Sequence, residues 1–228
     1  MKIVIEILLL TCVITVSPVL AQSSSTDQEK YLSWSEEQAI EIGKTMRVSG
    51  KIGSRFAFRG LHTERAVNYK LRLTWLTPEV IRATARLHQI KNRLTDDQTR
   101  ALVAEAEAAG DTVVMVELDP NEGSGIIPSD WRIFLQPVGH KPESRGAISG
   151  IKSPHLEKVK ALSGVVRRNF DYDVFWVVFP LVDENKVGLL PDGISSVELM
   201  LGIQNQEERV TLRIPECIRA RIKTLLHK

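Results

Sequence analysis

Alternating apolar and polar residues predict that most of the second half of the chain is β-structure. Residues 68–76 carry Tyr, Leu, Leu and Trp at alternate positions, the pattern of a strand with one face in water. Residues 112–118 and 174–179 are apolar at nearly every position, which predicts strands that are covered on both faces. Further strands are predicted at 55–58, 131–138, 196–203 and 210–214.

Two capping boxes mark helix starts. Ser35 and Gln38 have the spacing in which side chain and backbone satisfy each other, and they predict a short amphipathic helix over 36–48. Thr95 and Gln98 repeat this spacing and predict a second helix.

Two helices are predicted to occupy about 77–109. Thr77 is the N-cap of the first, and Pro78 occupies its first position. Gly110 is expected to stop the second. A tail helix with one apolar side is predicted at 216–226.

Seven or eight short strands predict a mainly β (α+β) fold, an antiparallel immunoglobulin-like β-sandwich with short N- and C-terminal helices. The two helices at about 77–109 are then an insertion between strands, packed over one edge or one end. The Cys–Trp–Cys signature of true immunoglobulin domains is absent, so the likeness is one of strand pattern only. The alternative is an α+β fold in which these helices cover one face of a single sheet.

Residues 1–21 are typical of a cleaved secretory signal peptide of bacterial type. Lys2 precedes an apolar run over 7–16, and Val19 and Ala21 stand at positions −3 and −1 before Gln22. An uncleaved membrane anchor is the alternative, because the mostly apolar stretch 3–21 is 19 residues long and a spanning helix needs about 20 apolar residues. The signal predicts a periplasmic or secreted protein with no integral membrane span after cleavage.

The mature chain is predicted to begin with a flexible leader over 22–34, followed by a single domain over 35–228. Cleavage would leave Cys217 as the lone cysteine. It is predicted to be a half-buried structural thiol, because reactive thiols need a setting that lowers their pKa and no histidine is near it in sequence.

Short motifs that carry catalysis or metal binding are incomplete here. Residues 43–45 (Gly-Lys-Thr) lack the first glycine of a phosphate-binding loop and lie in a predicted helix. Residues 62–64 (His-Thr-Glu) lack the cysteine pair of a zinc deaminase. The loop 119–125 has oxygen ligands at alternate positions but lacks the later ligands of an EF-hand. No catalytic, cofactor-binding or metal-binding residue is predicted, and no cofactor.

Aromatic and histidine candidates are predicted to belong to the core. Trp75, Trp131 and Trp176 could line a sugar platform, but each has apolar strand neighbours. His88 lies on the apolar face of a predicted helix, which favours a packed or hydrogen-bonded histidine over a metal ligand.

Charge is segregated along the chain, although the whole chain carries only +2. Residues 44–100 contain 13 basic and 4 acidic residues, a net of +9. Residues 101–130 contain 7 acidic and no basic residues, and residues 140–170 contain 7 basic and 2 acidic residues. Blocks of one sign can steer charged partners.

Four basic residues are candidates for anion binding, because the solvent face of strand 68–76 leads into the following helix: Lys70, Arg72, Arg82 and Arg86. The alternative is that these side chains face the acidic segment inside the protein and neutralise it.

These observations favour an exported, non-enzymatic binding module of the bacterial envelope with an envelope protein as partner. One alternative is a binder of an anionic polymer or anionic surface through the basic region 44–100. A second alternative is a hydrolase whose site is assembled only in space. Nucleic acid is not an expected partner outside the cytoplasm.

Overall fold

The computed structural model describes residues 29–52, 69–110, 112–120, 131–139, 147–165, 173–182, 188–190, 193–203 and 206–226. The pattern of contacts between residues divides the chain into two compact units, Met1–Lys30 and Tyr31–Lys228. Within the described ranges this second unit contains nine strands and four α-helices, so the fold is mixed α/β.

The strands form two antiparallel sheets. In spatial order the first contains β1 (Val48–Ile52), β2 (Tyr69–Trp75), β3 (Thr112–Pro120), β7 (Asp173–Phe179) and β6 (Ile151–Lys152). The second contains β5 (Ile148–Ser149), β4 (Arg132–Pro137), β8 (Ser196–Ile203) and β9 (Gln206–Arg213). Each pairing between these strands is antiparallel. The predicted strands 68–76, 112–118, 131–138, 174–179 and 196–203 are thereby confirmed, whereas 55–58 lies outside the described residues.

Four α-helices accompany the sheets: α1 (Glu36–Thr45), α2 (Pro78–Asn92), α3 (Asp96–Glu107) and α4 (Glu216–Leu226). Three 3-10 helices lie at Lys30–Ser33, Pro154–Lys158 and Lys160–Leu162. Within the described ranges, no helix combines the length and apolar character that crossing a membrane requires.

The predicted helix caps are present. The Ser35 hydroxyl accepts a hydrogen bond from the Gln38 amide at 3.2 Å, and the Ser35 amide donates to Gln38 Oε1 at 2.9 Å. Thr95 and Gln98 form the same reciprocal pair. Thr77 Oγ1 accepts from the Val80 amide at 3.3 Å, which satisfies a backbone donor of the first turn of α2.

The two sheets share a hydrophobic core, here called the inter-sheet core. It takes alternate residues from each strand, as the period of two in the sequence predicts. Its members in the first sheet include Leu71, Leu73, Trp75, Val114, Val116, Val177 and Phe179. Its members in the second sheet and in α4 include Ile133, Leu135, Val197, Leu199, Leu201, Leu212, Ile218 and Ile222.

A second core, here called the helix-face core, lies on the other side of the first sheet. It takes the intervening residues Val113 and Met115 of β3 and Trp176 of β7. Against them pack Val80, Ile81 and Ala85 of α2, Val103 and Ala106 of α3, and Leu156 and Leu162 of the 3-10 helices. The central strands β3 and β7 are therefore buried on both faces, which explains why they are apolar at nearly every position.

The helical insertion lies between β2 and β3 in the chain, at the predicted place. Its predicted packing over an edge or an end is wrong, because α2 and α3 cover one face of the first sheet. The outward residues of β3 and β7 are apolar, and burying them needs a covering layer rather than an edge contact. In this respect the packing matches the alternative fold, although a second sheet is also present.

Gly150 lies where the chain passes from one sheet to the other. Its neighbours on either side pair with β4 in the second sheet and β7 in the first. Its amide donates to the Ile133 carbonyl at 2.9 Å. A Cβ at this position would lie closer than 3.0 Å to side-chain atoms of Val177, Ile133 and Phe179. Only glycine fits between the two sheets here without displacing core side chains.

Two short segments differ from the sequence-based expectation. The end of the predicted flexible leader forms the 3-10 helix Lys30–Ser33, because Tyr31 is buried in the helix-face core with 4% of its surface exposed. Residues 48–52 are not among the predicted strands, because Ser49 and Gly50 are typical of turns, yet they form strand β1, which pairs with β2. Gly50 suits this strand because side chains of β9 approach it closely.

Candidate functional site

Arg72 is a half-buried candidate with an acidic partner on the neighbouring strand. It lies on β2 directly opposite Glu117 of β3, on the helix-covered face of the first sheet. Its Nε lies 3.9 Å from Glu117 Oε2, and the two side chains are 17% and 9% exposed. A guanidinium beside a carboxylate in such a half-buried setting compensates the cost of burying each charge.

A narrow cleft opens beside this ion pair. Its lining consists of Gly43, Arg47, Thr74, Val80, Met115, Glu117, Gly164 and Val165. Its volume is about 10 Å³, close to what a single water molecule occupies. Arg47 and Glu117 both belong to this lining. Arg47 was not predicted as a site residue, because it follows α1 in sequence and shares a cleft with residues of β3 only in the folded chain.

Arg82 and Arg86 lie one turn apart on α2, and each has its own protein partner. Arg82 Nη2 lies 3.4 Å from Glu107 Oε1 of α3. Arg86 Nε donates to the Trp34 carbonyl at 2.7 Å, and its Nη1 donates to Gln89 Oε1 at 2.6 Å. Arg86 therefore ties the segment before α1 to α2.

Three of the four predicted anion-binding residues have partners within the protein. Arg72 and Arg82 pair with Glu117 and Glu107, and both carboxylates belong to the acidic segment 101–130. Lys70 lies opposite Asp119 in the register of β2 and β3, and its side chain is outside the described residues. At these two pairs the basic and acidic segments face each other, as the alternative in the sequence analysis expects.

His88 is half-buried on α2 and contacts the segment after the last 3-10 helix. Its Nε2 lies 3.4 Å from Ser163 Oγ. Burial lowers the pKa of His88, and the positive charges of Lys160 and Lys91 lower it further. The predicted hydrogen-bonded histidine is confirmed, whereas Ser163 and Lys160 had no signal in the sequence, since they are more than 70 residues away.

The three tryptophans that could have formed a sugar platform are buried. Trp75 Nε1 donates to Thr112 Oγ1, and Trp176 Nε1 donates to the Leu162 carbonyl at 3.0 Å. Trp131 is 3% exposed, with Lys152 Nζ 3.9 Å from the centre of its ring. These side chains serve as core, and the indole N–H groups of Trp75 and Trp176 have hydrogen-bond partners, as buried indoles usually do.

Cys217 is half-buried at the start of α4 and packs against the inter-sheet core. Burial raises the pKa of its thiol to about 11, and the negative charge of Glu79 acts in the same direction. A thiol with a raised pKa is mostly protonated at neutral pH and is a poor nucleophile. The prediction of a half-buried structural thiol is confirmed.

The incomplete motifs have mixed outcomes. Residues 43–45 lie inside α1, and a Cβ on Gly43 would overlap the Val165 side chain, so this glycine serves close packing. Residues 62–64 and 121–125 lie outside the described residues. Among the described side chains, no three His, Cys, Asp or Glu residues come together as metal ligands would.

The chain was compared with known proteins in three ways. No family model matches it, and neither a curated protein nor a solved structure is similar to it.

Proposed function

We propose that this chain is an exported, non-enzymatic binding module of the bacterial envelope, with another envelope protein as its partner. The two sheets with their shared core would be the halves of an immunoglobulin-like β-sandwich. The signal-like segment 1–21 would direct the chain to the periplasm or to the medium.

One observation carries the choice of a protein partner over an anionic polymer. Three of the four candidate cations already have partners within the protein, since Arg72 meets Glu117, Arg82 meets Glu107 and Arg86 meets the Trp34 carbonyl. A polymer that bound these groups would have to replace these contacts, which stabilise the fold. Binding at these positions would therefore be weaker than the charge count of the 44–100 region predicts.

The cleft beside the Arg72–Glu117 ion pair is too small to be a substrate site. Pockets for small molecules usually measure about 300 Å³ or more, whereas the cleft beside Arg72 measures about 10 Å³. A single water fits this cleft, and a substrate does not.

Affinity capture from envelope extract, with the full chain purified and immobilised, tests the partner class. We expect a protein that stays bound at high salt, because apolar contacts are not screened by ions. The matched variant is Arg82→Gln with Arg86→Gln, which removes two of the candidate cations. Equal capture by the wild type and this variant supports the proposal.

Capture that is lost at high salt, or lost with a double variant that still unfolds cooperatively in urea, would instead favour the anionic polymer and the four candidate residues. Turnover of any glycan or peptide substrate by the purified chain would favour the hydrolase.

Export is tested separately by expressing the full chain in bacteria and sequencing the N-terminus of the product. We expect a periplasmic or secreted product that begins at Gln22. A membrane-bound product that retains Met1 would identify an uncleaved anchor and contradict the predicted cleavage.

A further inference from the structure

Residues 30–34, here called the N-terminal strap, precede α1 in the chain and pack against the helix-face core. Tyr31 is 4% exposed, and Leu32 and Trp34 are partly buried against the same core. The Trp34 amide donates to the Tyr31 carbonyl at 3.2 Å, and the rings of these two residues meet edge to face with their centres 6.3 Å apart. The Trp34 amide is therefore protected by a hydrogen bond that exists only while the strap keeps this conformation.

Arg86 of α2 holds the strap through a backbone oxygen. Its Nε donates to the Trp34 carbonyl at 2.7 Å, and its Nη1 donates to Gln89 Oε1 at 2.6 Å. Because the guanidinium is planar and rigid, fixing the direction of its Nη1 also fixes the direction of its Nε. Whatever orients Gln89 therefore helps to hold the strap.

Gln89 connects this contact to the start of α3. Its side chain is buried, with 6% of the residue exposed, and its Nε2 donates to Asp96 Oδ1 at 2.7 Å. Arginine has no acceptor and a carboxylate has no donor, so the Gln89 amide can satisfy both neighbours only in this orientation. Hydrogen bonds that follow one another in a chain strengthen each other, most of all when the end groups are charged. A continuous series of hydrogen bonds thus leads from Asp96 through Gln89 and Arg86 to the strap.

From this geometry we propose that Arg86, Gln89 and Asp96 form a relay by which the start of α3 controls the opening of the N-terminal strap. A strap one turn long is the kind of element that opens locally while the core stays folded. Opening exposes Tyr31 and the apolar surface that it covers in the helix-face core. Asp96 acts here through Gln89 and Arg86, since it supplies the acceptor that orients the Gln89 amide.

The relay has a consequence for binding. Coupling between two places in a protein is reciprocal, so a partner that engages the Asp96 carboxylate would favour the open strap, and an open strap would favour that partner. The relay does not depend on the identity of the partner or on export.

Hydrogen exchange of the Trp34 amide in the full chain measures strap opening. The test variant is Asp96→Ala, which removes the acceptor of Gln89 Nε2. The matched control is Asp97→Ala, because Asp97 also lies in the first turn of α3 but is paired with Arg100 at 2.6 Å. Both variants remove one negative charge from the same helix end. Neither substitution is near Trp34 in sequence, so a change in the exchange rate reports opening rather than the chemistry of that amide.

We expect Asp96→Ala to raise the exchange rate of the Trp34 amide by about fivefold or more, and Asp97→Ala to raise it by less than about twofold. The Leu76 amide, which donates to the Val113 carbonyl at 2.9 Å, reports on the first sheet and should keep its wild-type rate in both variants. Equal effects of the two variants at Trp34, or no effect of Asp96→Ala, would overturn the proposal. An equal rise at Leu76 would indicate general destabilisation and would overturn it as well.

A double-mutant cycle tests whether the effect passes through Arg86. Arg86→Gln should itself raise the exchange rate at Trp34, because it removes the donor to the Trp34 carbonyl. In that background Asp96→Ala should add less than about twofold, since the relay is already broken. If Arg86→Gln does not unfold cooperatively in urea, Arg86→Lys takes its place, because it keeps the charge but lacks the rigid fork that bonds Trp34 and Gln89 together. An undiminished effect of Asp96→Ala in the Arg86 variant would mean that Asp96 acts by another route, contrary to the proposal.

Discussion

The inter-sheet core and the helix-face core use opposite faces of the same sheet, yet they are assembled differently. The inter-sheet core is built from two sets of alternating strand residues and one side of α4. The helix-face core joins the remaining residues of β3 and β7 to two helices and two 3-10 helices. The comparison teaches that an antiparallel sheet can be central to a fold when its strands are apolar on both faces.

Polar contacts also distinguish the two regions. The helix-face side contains the ion pairs of Arg72 and Arg82 and the hydrogen bond between Trp176 and Leu162. The inter-sheet core depends mainly on apolar burial, at about 1.5–3 kcal/mol for each large side chain. Substitutions on the two sides should therefore differ in kind as well as in size.

The largest expected effect comes from closing the space at Gly150. Gly150→Val should destabilise the fold by about 4 kcal/mol or more, because its side chain would overlap three core residues from both sheets. Urea unfolding measures this loss. Gly202→Ala is the matched control, since no atom lies within 4 Å of a Cβ there, and we expect a change below about 1 kcal/mol. Full stability of Gly150→Val would contradict the described passage between the sheets.

A pair of fully buried leucines compares the two cores directly. Leu199→Ala opens the inter-sheet core and Leu156→Ala opens the helix-face core, and both residues are at most 1% exposed. Each should reduce the free energy of unfolding by about 3 kcal/mol. Because β3 and β7 belong to both cores, circular dichroism and tryptophan fluorescence should report one shared transition for each variant. Separate transitions in Leu156→Ala would mean that the helical layer unfolds independently.

A smaller effect is expected where α1 packs against the segment at Val165. Gly43→Ala gains about 1 kcal/mol of helix propensity, but its Cβ would overlap the Val165 side chain. We expect a net loss of about 1–2 kcal/mol in urea unfolding. In a Val165→Ala background, Gly43→Ala should cost less stability than it does in the wild type, because the smaller side chain leaves more room. A net gain in stability would show that α1 can move away from Val165 at little cost.

The smallest effect concerns reactivity at the edge of the inter-sheet core. With a pKa of about 11 instead of 9.0, Cys217 should have about 100-fold less thiolate at pH 8 than an ordinary thiol. Alkylation with iodoacetamide in a Cys12→Ser background should therefore be slow when the protein is folded and faster in urea. The native rate should still be rising between pH 9 and pH 11. A fast native rate at pH 8 would contradict the burial of this thiol.

The raised pKa of the Cys217 thiol determines the direction in which the stability of the fold changes with pH. The unfolded chain loses the Cys217 proton at lower pH than the folded chain does, so stability from this group is complete below about pH 9 and falls as pH rises toward 11.

Local patterns predicted a large part of the fold. The capping boxes at Ser35 and Thr95 are reciprocal hydrogen bonds within four residues, so they depend little on the rest of the chain. Strand β2 matched its predicted position closely because Leu71, Leu73 and Trp75 alternate strictly. Strand β1 was missed because Gly50 gives it a turn-like composition, while its pairing with β2 is what makes it a strand.

The candidate site was less predictable. Arg72, Arg82 and Arg86 were grouped by their charge and by the step from strand 68–76 into the following helix. Their partners Glu117, Glu107 and Trp34 lie 25 to 52 residues away along the chain. Sequence spacing contains no information on which acidic residue meets which arginine. The same limit hid the contact between His88 and Ser163, which joins residues 75 positions apart.

The sequence by itself determined where the helices begin, which strands alternate between apolar and polar residues, and which strands are apolar on both faces. Those features depend on backbone hydrogen bonds and side-chain periods within a few residues. Only the tertiary structure decided that the helices cover a face of the first sheet, that Gly150 carries the chain between sheets, and which arginines are neutralised. Each of these depends on sheet register and close packing between distant segments, because a side chain's neighbours are fixed only when the whole chain is folded.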